Sequence, residues 1–305
     1  MAESHIGAQH HEEIGRDVEA MQNFQGKTAF ITGAGSGIGL GMARTFARNG
    51  MNVVLCDIRR DALDQALSAV NRLGAQAIAV EADVSVGDQV RRAAQQAFDA
   101  FGKVHIVCNN AGISMHGVPI EKLPLKDWEW VLGVNLYGVI HGFQTFVPHM
   151  REHGEEAHIV NTASIGGFRI QPGWDTGPYS MSKYAVVGIS EALEQDLEGS
   201  NIGVSVLAPA AVNTGIFHSG RARPERMGGA FKREESEQFA HLLQEGLPPD
   251  LIGERVLRAI RHKEFFIFTH TWARPLIDER HARIQAAFDE CEKWYEERGM
   301  EPPAR

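Results

Sequence analysis

The property that most narrows the fold is an alternation. From Lys27 onward, short runs rich in β-branched residues are followed repeatedly by stretches whose apolar residues recur at helical spacing. Strands are predicted over residues 28–32, 53–56, 77–80, 104–108, 158–161, 202–207 and 265–269. Between the first four lie helical periods: Ile38, Met42 and Phe46; then Leu63, Ala66, Leu67 and Val70; then Val90, Ala94, Ala97 and Phe101, with Ser85 and Asp88 placed to cap that third helix. Longer helices are predicted over 125–150 and 179–198, and two more flank the last strand. Parallel neighbours in a sheet need a crossover connection, which a helix supplies. The alternation therefore predicts a doubly wound parallel sheet of about seven strands, with helices on both faces. Residues 214–250 break the pattern with Gly, Pro and mixed charge, and read as a loop that covers a substrate.

Such a sheet needs a large core, and 305 residues with 43% hydrophobic side chains are enough for one. Residues 25–297 are taken as a single domain, with a flexible arm at 1–24 and a tail at 298–305. The arm carries acidic residues and no apolar stretch, which fits neither a transit nor a signal peptide. Its His10 and His11 read as solvated side chains of a mobile terminus. No apolar run approaches the length of a membrane-crossing helix, so no membrane association is expected. With 39 acidic against 30 basic residues the net charge is -9, which repels polyanions, and nucleic acid is not an expected partner. Cys56, Cys108 and Cys291 show no CxxC or Cys/His spacing; no disulfide framework or metal site is indicated, and a reducing cytoplasm fits best.

The segment Thr32-Gly33-Ala34-Gly35-Ser36-Gly37-Ile38-Gly39 follows a predicted strand and opens a predicted helix. There backbone amides and the positive end of a helix dipole can hold a phosphate. No lysine follows Gly39, which disfavours a nucleoside triphosphate loop, and no start point gives a strict GxGxxG. Gly35 to Gly39 does satisfy GxGxG, which leaves S-adenosylmethionine as one candidate ligand and a dinucleotide as another. Asp57, at the end of the next strand, is placed to accept hydrogen bonds from ribose hydroxyls or to cap the following helix.

Tyr179 and Lys183 are spaced i, i+4, so on a helix they share a face. A phenol with a pKa near ~10 is a poor base at neutral pH, and a neighbouring ammonium has the right sign to lower it. By itself the pair is common. Here it follows, in order, the glycine loop, Asp57, Asp83-Val84, Asn109-Asn110-Ala111-Gly112, Asn135 and Ser164, and precedes Pro209 to Thr214. That ensemble, from about Gly26 to Thr214, resembles the short-chain dehydrogenase/reductase family.

The resemblance implies a single Rossmann-like domain and hydride transfer between a nicotinamide and a carbonyl or secondary alcohol. It implies Tyr179 as catalytic acid/base, Lys183 as the residue that lowers the pKa of Tyr179 and holds the nicotinamide ribose, and Ser164 as the hydroxyl on the substrate oxygen. Asn135 matches the asparagine that supports a water-mediated proton relay. Gly33, Ser36, Gly37, Ile38 and Gly39 match the pyrophosphate loop, Asp57 the adenosine ribose contact, Asp83 and Val84 the adenine contacts, and Asn110 a contact near the nicotinamide ribose. Pro209, Val212 and Thr214 match the segment that holds the carboxamide. In isolation, Ser164 also reads as a strand-end hydroxyl capping a turn, and Asn135 as a helix-interior polar group bonded to backbone. Ala210 stands where the family often has glycine, and the stretch from Ser164 to Tyr179 is slightly long, which predicts a longer loop over 166–177.

NAD is the expected cofactor and NADP the less favoured one, because a 2′-phosphate would meet the Asp57 carboxylate; Arg59 and Arg60 beside it read as a solvated helix start. The expected partner is a bulky hydrophobic or aromatic secondary alcohol or ketone, bordered by His116, Phe168, Gln171, Trp174, Phe217 and His218. Residues 133–146 and 268–270 resemble family members that oxidise benzylic alcohols of lignin-type aryl ethers. A homodimer or homotetramer is expected. The alternatives are a catalytically silent nicotinamide-binding regulator, which commonly loses the Tyr or Lys present here, and a methyltransferase, which would have no use for Ser164, Tyr179 and Lys183 as a set.

Overall fold

A computed structural model of the chain describes residues 21–232, 234 and 240–303. The order of elements is β1 (Thr28–Thr32), α1 (Gly37–Arg48), β2 (Asn52–Asp57), α2 (Arg60–Asn71), β3 (Ala77–Glu81), α3 (Gly87–Phe101), β4 (Ile106–Asn109), α4 (Leu125–Leu132), α5 (Gly138–His153), β5 (Ala157–Thr162), α6 (Gly177–Asp196), β6 (Ile202–Ala208), α7 (Pro249–His262), β7 (Phe266–Phe268) and α8 (Arg274–Glu296). The strands form one sheet in the order β3-β2-β1-β4-β5-β6-β7, with every adjacent pair parallel. The direction in which successive strands are added to the sheet reverses between β1 and β4, which opens a crevice at the carboxyl ends of those strands.

Alternation along each strand explains the two layers. Ala29, Ile31, Val53 and Leu55 face one side, where they pack with Met42 and Phe46 of α1, Leu63 and Val70 of α2, and Ile252 and Val256 of α7. Phe30, Val54 and Cys56 face the other, against Ala94 and Ala97 of α3, Phe146 and Met150 of α5, and Leu193 of α6. Phe30 and Phe146 bring their ring centroids to 4.7 Å across that layer. α1 and α7 approach almost backbone to backbone: a Cβ on Gly41 would lie 2.2 Å from the carbonyl oxygen of Pro249. Arg44 and Arg48 reach Asp250 at the same contact, but these pairs are partly exposed and worth at most about 1 kcal/mol each.

Four expectations change. The helix over 125–150 is interrupted by a π turn, Gly133–Tyr137, so α4 and α5 are separate segments of one rod. Ser85 does not cap α3, whose N-cap is Val86. Its hydroxyl donates instead to the Asp83 carboxylate, at Oδ1 2.5 Å away, a charged acceptor that holds it off the helix. Met21 and Phe24, within the expected arm, are buried in the α1/α2/α7 layer, so the packed body begins before residue 25; residues 1–20, with His10 and His11, lie outside the described residues. The irregular stretch after Thr214 carries 3-10 turns at Ile216–Ala222, Glu225–Met227 and Ala240–Leu243. It is pinned at Arg223, which pairs with Asp127 of α4 at 2.8 Å with both side chains buried, while its guanidinium lies 5.2 Å from the Trp130 and Phe231 rings.

Candidate active site

A cleft of about 340 Å³ opens along the crevice, from Asp57 and Arg59 at one end to Tyr179 and Lys183 at the other. Gly33, Ser36, Gly37 and Ile38 line it, as do Asp83, Val84, Asn110, Pro209 and Thr214. The glycine loop is tight against its surroundings. A Cβ on Gly33 would lie 2.9 Å from Ala111 Cα, and one on Gly39 would lie 2.3 Å from the Gly33 carbonyl oxygen, so the loop folds on itself and on the Asn-Asn-Ala-Gly turn. Gly33 and Gly37 also have positive φ, which side chains disfavour. Gly39 therefore shapes the loop without lining the cleft. Ser36 is the N-cap of α1 but makes no capping hydrogen bond, and no acid stands in the first turn. This backbone cradle at a helix start, with no carboxylate in that turn, fits a pyrophosphate.

Asp57 is buried, and its carboxylate is shared. Oδ2 accepts from the Gly35 N–H and Oδ1 from the Arg59 N–H, each at 3.0 Å. Asp57 thus lines the cleft and braces the approach to α2, but the cap position of that helix is Arg59, because the chain runs two residues further before the helix begins. Arg59 places Nε 3.6 Å from Asp57 Oδ1, and its Nη2 donates to Ser36 Oγ at 3.1 Å. Arg59 is exposed at the helix start, as expected, and from there bends over the loop toward the carboxylate. Asp83 accepts from Ser85 through Oδ1 and from Arg226 of the covering loop through Oδ2.

At the other end, Thr32 ties the glycine loop to the neighbouring turn. Its Oγ1 accepts from the N–H groups of Asn110 and Ala111, and Asn110 Nδ2 donates to the Thr32 carbonyl at 2.9 Å. Tyr179 and Lys183 sit on α6 with the Lys183 Nζ 5.8 Å from the Tyr179 ring centroid. Lys183 Nζ donates to the Thr162 carbonyl at 2.7 Å, at the end of β5. Burial pulls the lysine down to about 7. Burial also raises the Tyr179 phenol above its ordinary value, against a smaller lowering by its hydrogen bond with Ser164. That is the reverse of the lowering expected from Lys183. The physical reason is that loss of water disfavours both charged forms here, while the ammonium is committed to the Thr162 carbonyl.

Ser164 caps a turn at the end of β5, as its isolated reading held. Its Oγ accepts from the Gly166 N–H at 3.1 Å, capping a 3-10 turn, donates to the Pro209 carbonyl at 3.4 Å, and also meets the Tyr179 hydroxyl. Asn135 is fully buried in the π turn. It accepts from the Ile113 N–H at 2.9 Å and donates to the Ile113 carbonyl and Ser182 Oγ, each at 3.0 Å. Ser182 in turn donates to the Tyr179 carbonyl, so Asn135 joins the turn after β4 to α6. Val212 is buried with Leu247 rather than lining the cleft, because residues 211 and 213 pair with Leu247 through the backbone. Ala210 is not among the positive-φ residues, so no glycine is needed there.

Above Tyr179 stands a group of rings. His116 lies 5.3 Å from Tyr179, 6.0 Å from Trp174 and 4.9 Å from Phe217, centroid to centroid. Burial lowers His116 to about 4, so it is neutral at pH 7. His218 lines the cleft, whereas Gln171 is exposed and bonded to Arg169. Phe168 points elsewhere: it packs on Phe266 and Phe268 of the edge strand, an aromatic cluster that outcompetes the pocket for its ring. Thr32 and Ser182 could have been found from the sequence, since one opens the glycine-loop segment and the other stands between Tyr179 and Lys183. Thr162, which contributes only a carbonyl, and Arg223 and Arg226, in the aperiodic loop, left no signal.

A family model described as short chain dehydrogenase matches residues 27–225. Among curated relatives, a protein named C alpha-dehydrogenase from Sphingobium sp. strain SYK-6 is 35% identical over 268 residues, covering 87% of each chain. A 1-deoxy-11-beta-hydroxypentalenate dehydrogenase from Streptomyces exfoliatus is 33% identical over 279 residues, covering 89% of this chain and 95% of that protein. Among solved structures, a short-chain dehydrogenase/reductase from Burkholderia phymatum in complex with NAD is 38% identical with a TM-score of 0.83, covering 88% of this chain and 97% of that one. The family model spans the glycine loop, the Asn-Asn-Ala-Gly turn and the Tyr-Lys helix that the cleft brings together, and with these matches it makes the chain a member of the short-chain dehydrogenase/reductase family, nicotinamide-dependent oxidoreductases that act on CH–OH groups.

Proposed function

We propose that the protein interconverts a bulky hydrophobic or aromatic secondary alcohol and its ketone, with NAD preferred and Tyr179 as the acid/base. The observation that carries the reading is the end of the cleft, where the Tyr179 hydroxyl meets Ser164 and the Tyr179 ring lies under His116. The nicotinamide, when bound, takes or gives the hydride. In the oxidative direction the Tyr179 oxygen receives the alcohol proton while the carbinol carbon loses hydride, and the reverse holds for reduction. Ser164 steadies the substrate oxygen, whose charge changes most. Lys183, held by Thr162, presents an ammonium to the Tyr179 side and a donor to the nicotinamide ribose. Asn135 keeps the Gly112–Ile113 segment and α6 in register, and in this reading supports the relay that carries the proton out.

His116, beside Tyr179 and itself packed on Trp174 and Phe217, favours a flat apolar substituent. The dehydrogenase names of the two curated relatives support an alcohol as substrate. Glycine loop, Asp57, Asp83, Val84, Asn110 and Thr214 line the path for the dinucleotide. The Asp57 carboxylate supports NAD because a 2′-phosphate would bring like charge to it, and the NAD complex of the Burkholderia relative is in keeping with this. A cytoplasmic homodimer or homotetramer completes the reading.

The test follows reduced-nicotinamide absorbance with each cofactor and a panel running from 2-propanol to 1-arylalkanols, with the matching ketones. Aryl alcohols with NAD are expected to give the highest kcat/KM. Binding of NADH without turnover of any member would establish the silent-regulator alternative, and preference for 2-propanol would remove the bulky substrate.

A further inference from the structure

The last helix, α8, spans 23 residues and buries none of them. Residues 278–294 are all exposed. Near its start Arg280 lies 5.2 Å from the Tyr184 ring of α6, which ties that end to the body of the protein. A helix exposed all round is ordinarily polar all round. This one is not: Ile277, Ile284, Phe288, Cys291 and Tyr295 are spaced seven, four, three and four apart, so at about 100° per residue they fall within roughly 60° of arc. Phe288 is 63% exposed and Ile284 39%, which leaves the middle of the stripe in water.

Charge is divided along the same helix. Its first half carries Arg274, Arg280, His281 and Arg283 with Asp278 and Glu279, whereas its second carries Asp289, Glu290, Glu292 and Glu296 with Lys293 alone. We propose that α8 docks antiparallel on α8 of a second copy of this chain, apolar stripe to apolar stripe. Centred on Ala286, this register sets Ile284 against Phe288 of the second copy and Ile277 against its Tyr295, both pairs sharing one centre. The same register brings Arg283 beside Glu290 of the second copy and His281 beside its Glu292, on the flanks of the stripe. A parallel arrangement would set arginine against arginine and glutamate against glutamate. A single helix pair buries less than the ~1,600 Å² of an ordinary stable interface. The contact therefore adds to whatever other surface joins two subunits and fixes their relative direction.

Disulfide trapping in the full-length protein tests the register. In a Cys291→Ser background, Ile284→Cys and Phe288→Cys are introduced together, and the native protein is oxidised with copper-phenanthroline and resolved on a non-reducing gel. The double-cysteine protein is expected to form covalent dimer at least tenfold faster than either single variant. Adding Arg283→Glu should slow trapping, and adding Glu290→Arg to that should restore it. Circular dichroism and wild-type turnover of the unoxidised variants show that the fold is intact. Equal trapping rates for single and double variants, no trapping, or no response to the charge reversals would overturn the proposal; in those cases the stripe meets another partner or a different register. A dimer formed only through another surface would not reproduce the tenfold difference.

Discussion

Replacing Tyr179 by phenylalanine removes one oxygen and little else. Its partner Ser164 retains two other hydrogen bonds, from the Gly166 N–H and to the Pro209 carbonyl, so no buried polar group is orphaned. The ring keeps its packing beside His116. Stability should therefore change by no more than about 1 kcal/mol, the scale of one hydrogen bond. The Asp57 end of the cleft is untouched, and cofactor affinity should stay within about threefold. Turnover loses a positioned proton-transfer group, typically worth ~100- to 10,000-fold. That corresponds to about 3–5 kcal/mol of transition-state stabilisation. The measurements are kcat with the best alcohol of the panel, NADH affinity from quenching of tryptophan fluorescence, and the thermal midpoint. Retention of more than about a tenth of wild-type turnover would refute the reasoning, because a side chain that transfers the proton cannot be dispensable. An equal loss in NADH affinity would refute it too, by showing that the hydroxyl serves binding.

Asp57→Ala should weaken or reverse the preference for NAD, chiefly through the cofactor KM, because Arg59 then loses its carboxylate and is left to meet a 2′-phosphate; a wild-type preference for NADP, seen in the ratio of kcat/KM values, would show that Arg59 already dominates. Asn135→Ala leaves the Ile113 N–H and carbonyl without their side-chain partner and should cost about 2–5 kcal/mol in urea unfolding; a shift under about 0.5 kcal/mol would mean that the asparagine does not brace the site. His158, which shares a 2.8 Å hydrogen bond with Ser205 inside the sheet, is held down to about 4 by burial. Its unfolded value is near ~6.5, so its contribution is complete above that pH and is lost as pH falls toward ~4, by about 3 kcal/mol. Unfolding midpoints followed from pH 7 to 4.5 should flatten in His158→Gln, and an unchanged slope would assign the acid sensitivity elsewhere. Since burial raises the Tyr179 phenol above its ordinary value, alcohol oxidation should accelerate with pH through neutrality and beyond it, while ketone reduction should hold level until strongly alkaline pH; an oxidation profile that is flat through neutrality would exclude Tyr179 as the titrating group.

Much of this architecture is legible in the chain because its signals are local. β1 is predicted and found at Thr28–Thr32, and the apolar spacing of Leu63, Ala66 and Val70 matches the buried face of α2. The motifs survive translation into space because each stands at a strand end or helix start, and the winding of the sheet delivers those ends to one crevice. What escapes is whatever depends on partners distant in sequence. Phe168 has the composition of a pocket residue, yet β7 offers it two rings. Arg223 and Arg226 look like solvated loop charges until Asp127 and Asp83 are brought beneath them. The Tyr179 pKa runs against the i, i+4 expectation because spacing reports proximity and is silent about water. The boundary near residue 25 misses Met21 and Phe24 for a related reason: two isolated apolar residues carry no period.

The π turn at Gly133–Tyr137 separates two demands on one stretch of chain. On a regular helix at about 100° per residue, the buried side of α5 (Val139, Gly142, Phe146 and Met150) would stand roughly 100° around from Trp130 and Val131 of α4. The wide turn absorbs one surplus residue, and both halves meet the interior in phase. Shortening 133–137 by a single residue would leave an unbroken helix whose apolar sides still align, so the packing of α5 on the sheet would be kept. Asn135, however, would lose the place from which it holds Ile113 and Ser182. Chain length at this point thus governs the geometry around Tyr179 and Lys183 without governing the scaffold, and a shortened protein should be well folded and chemically misaligned.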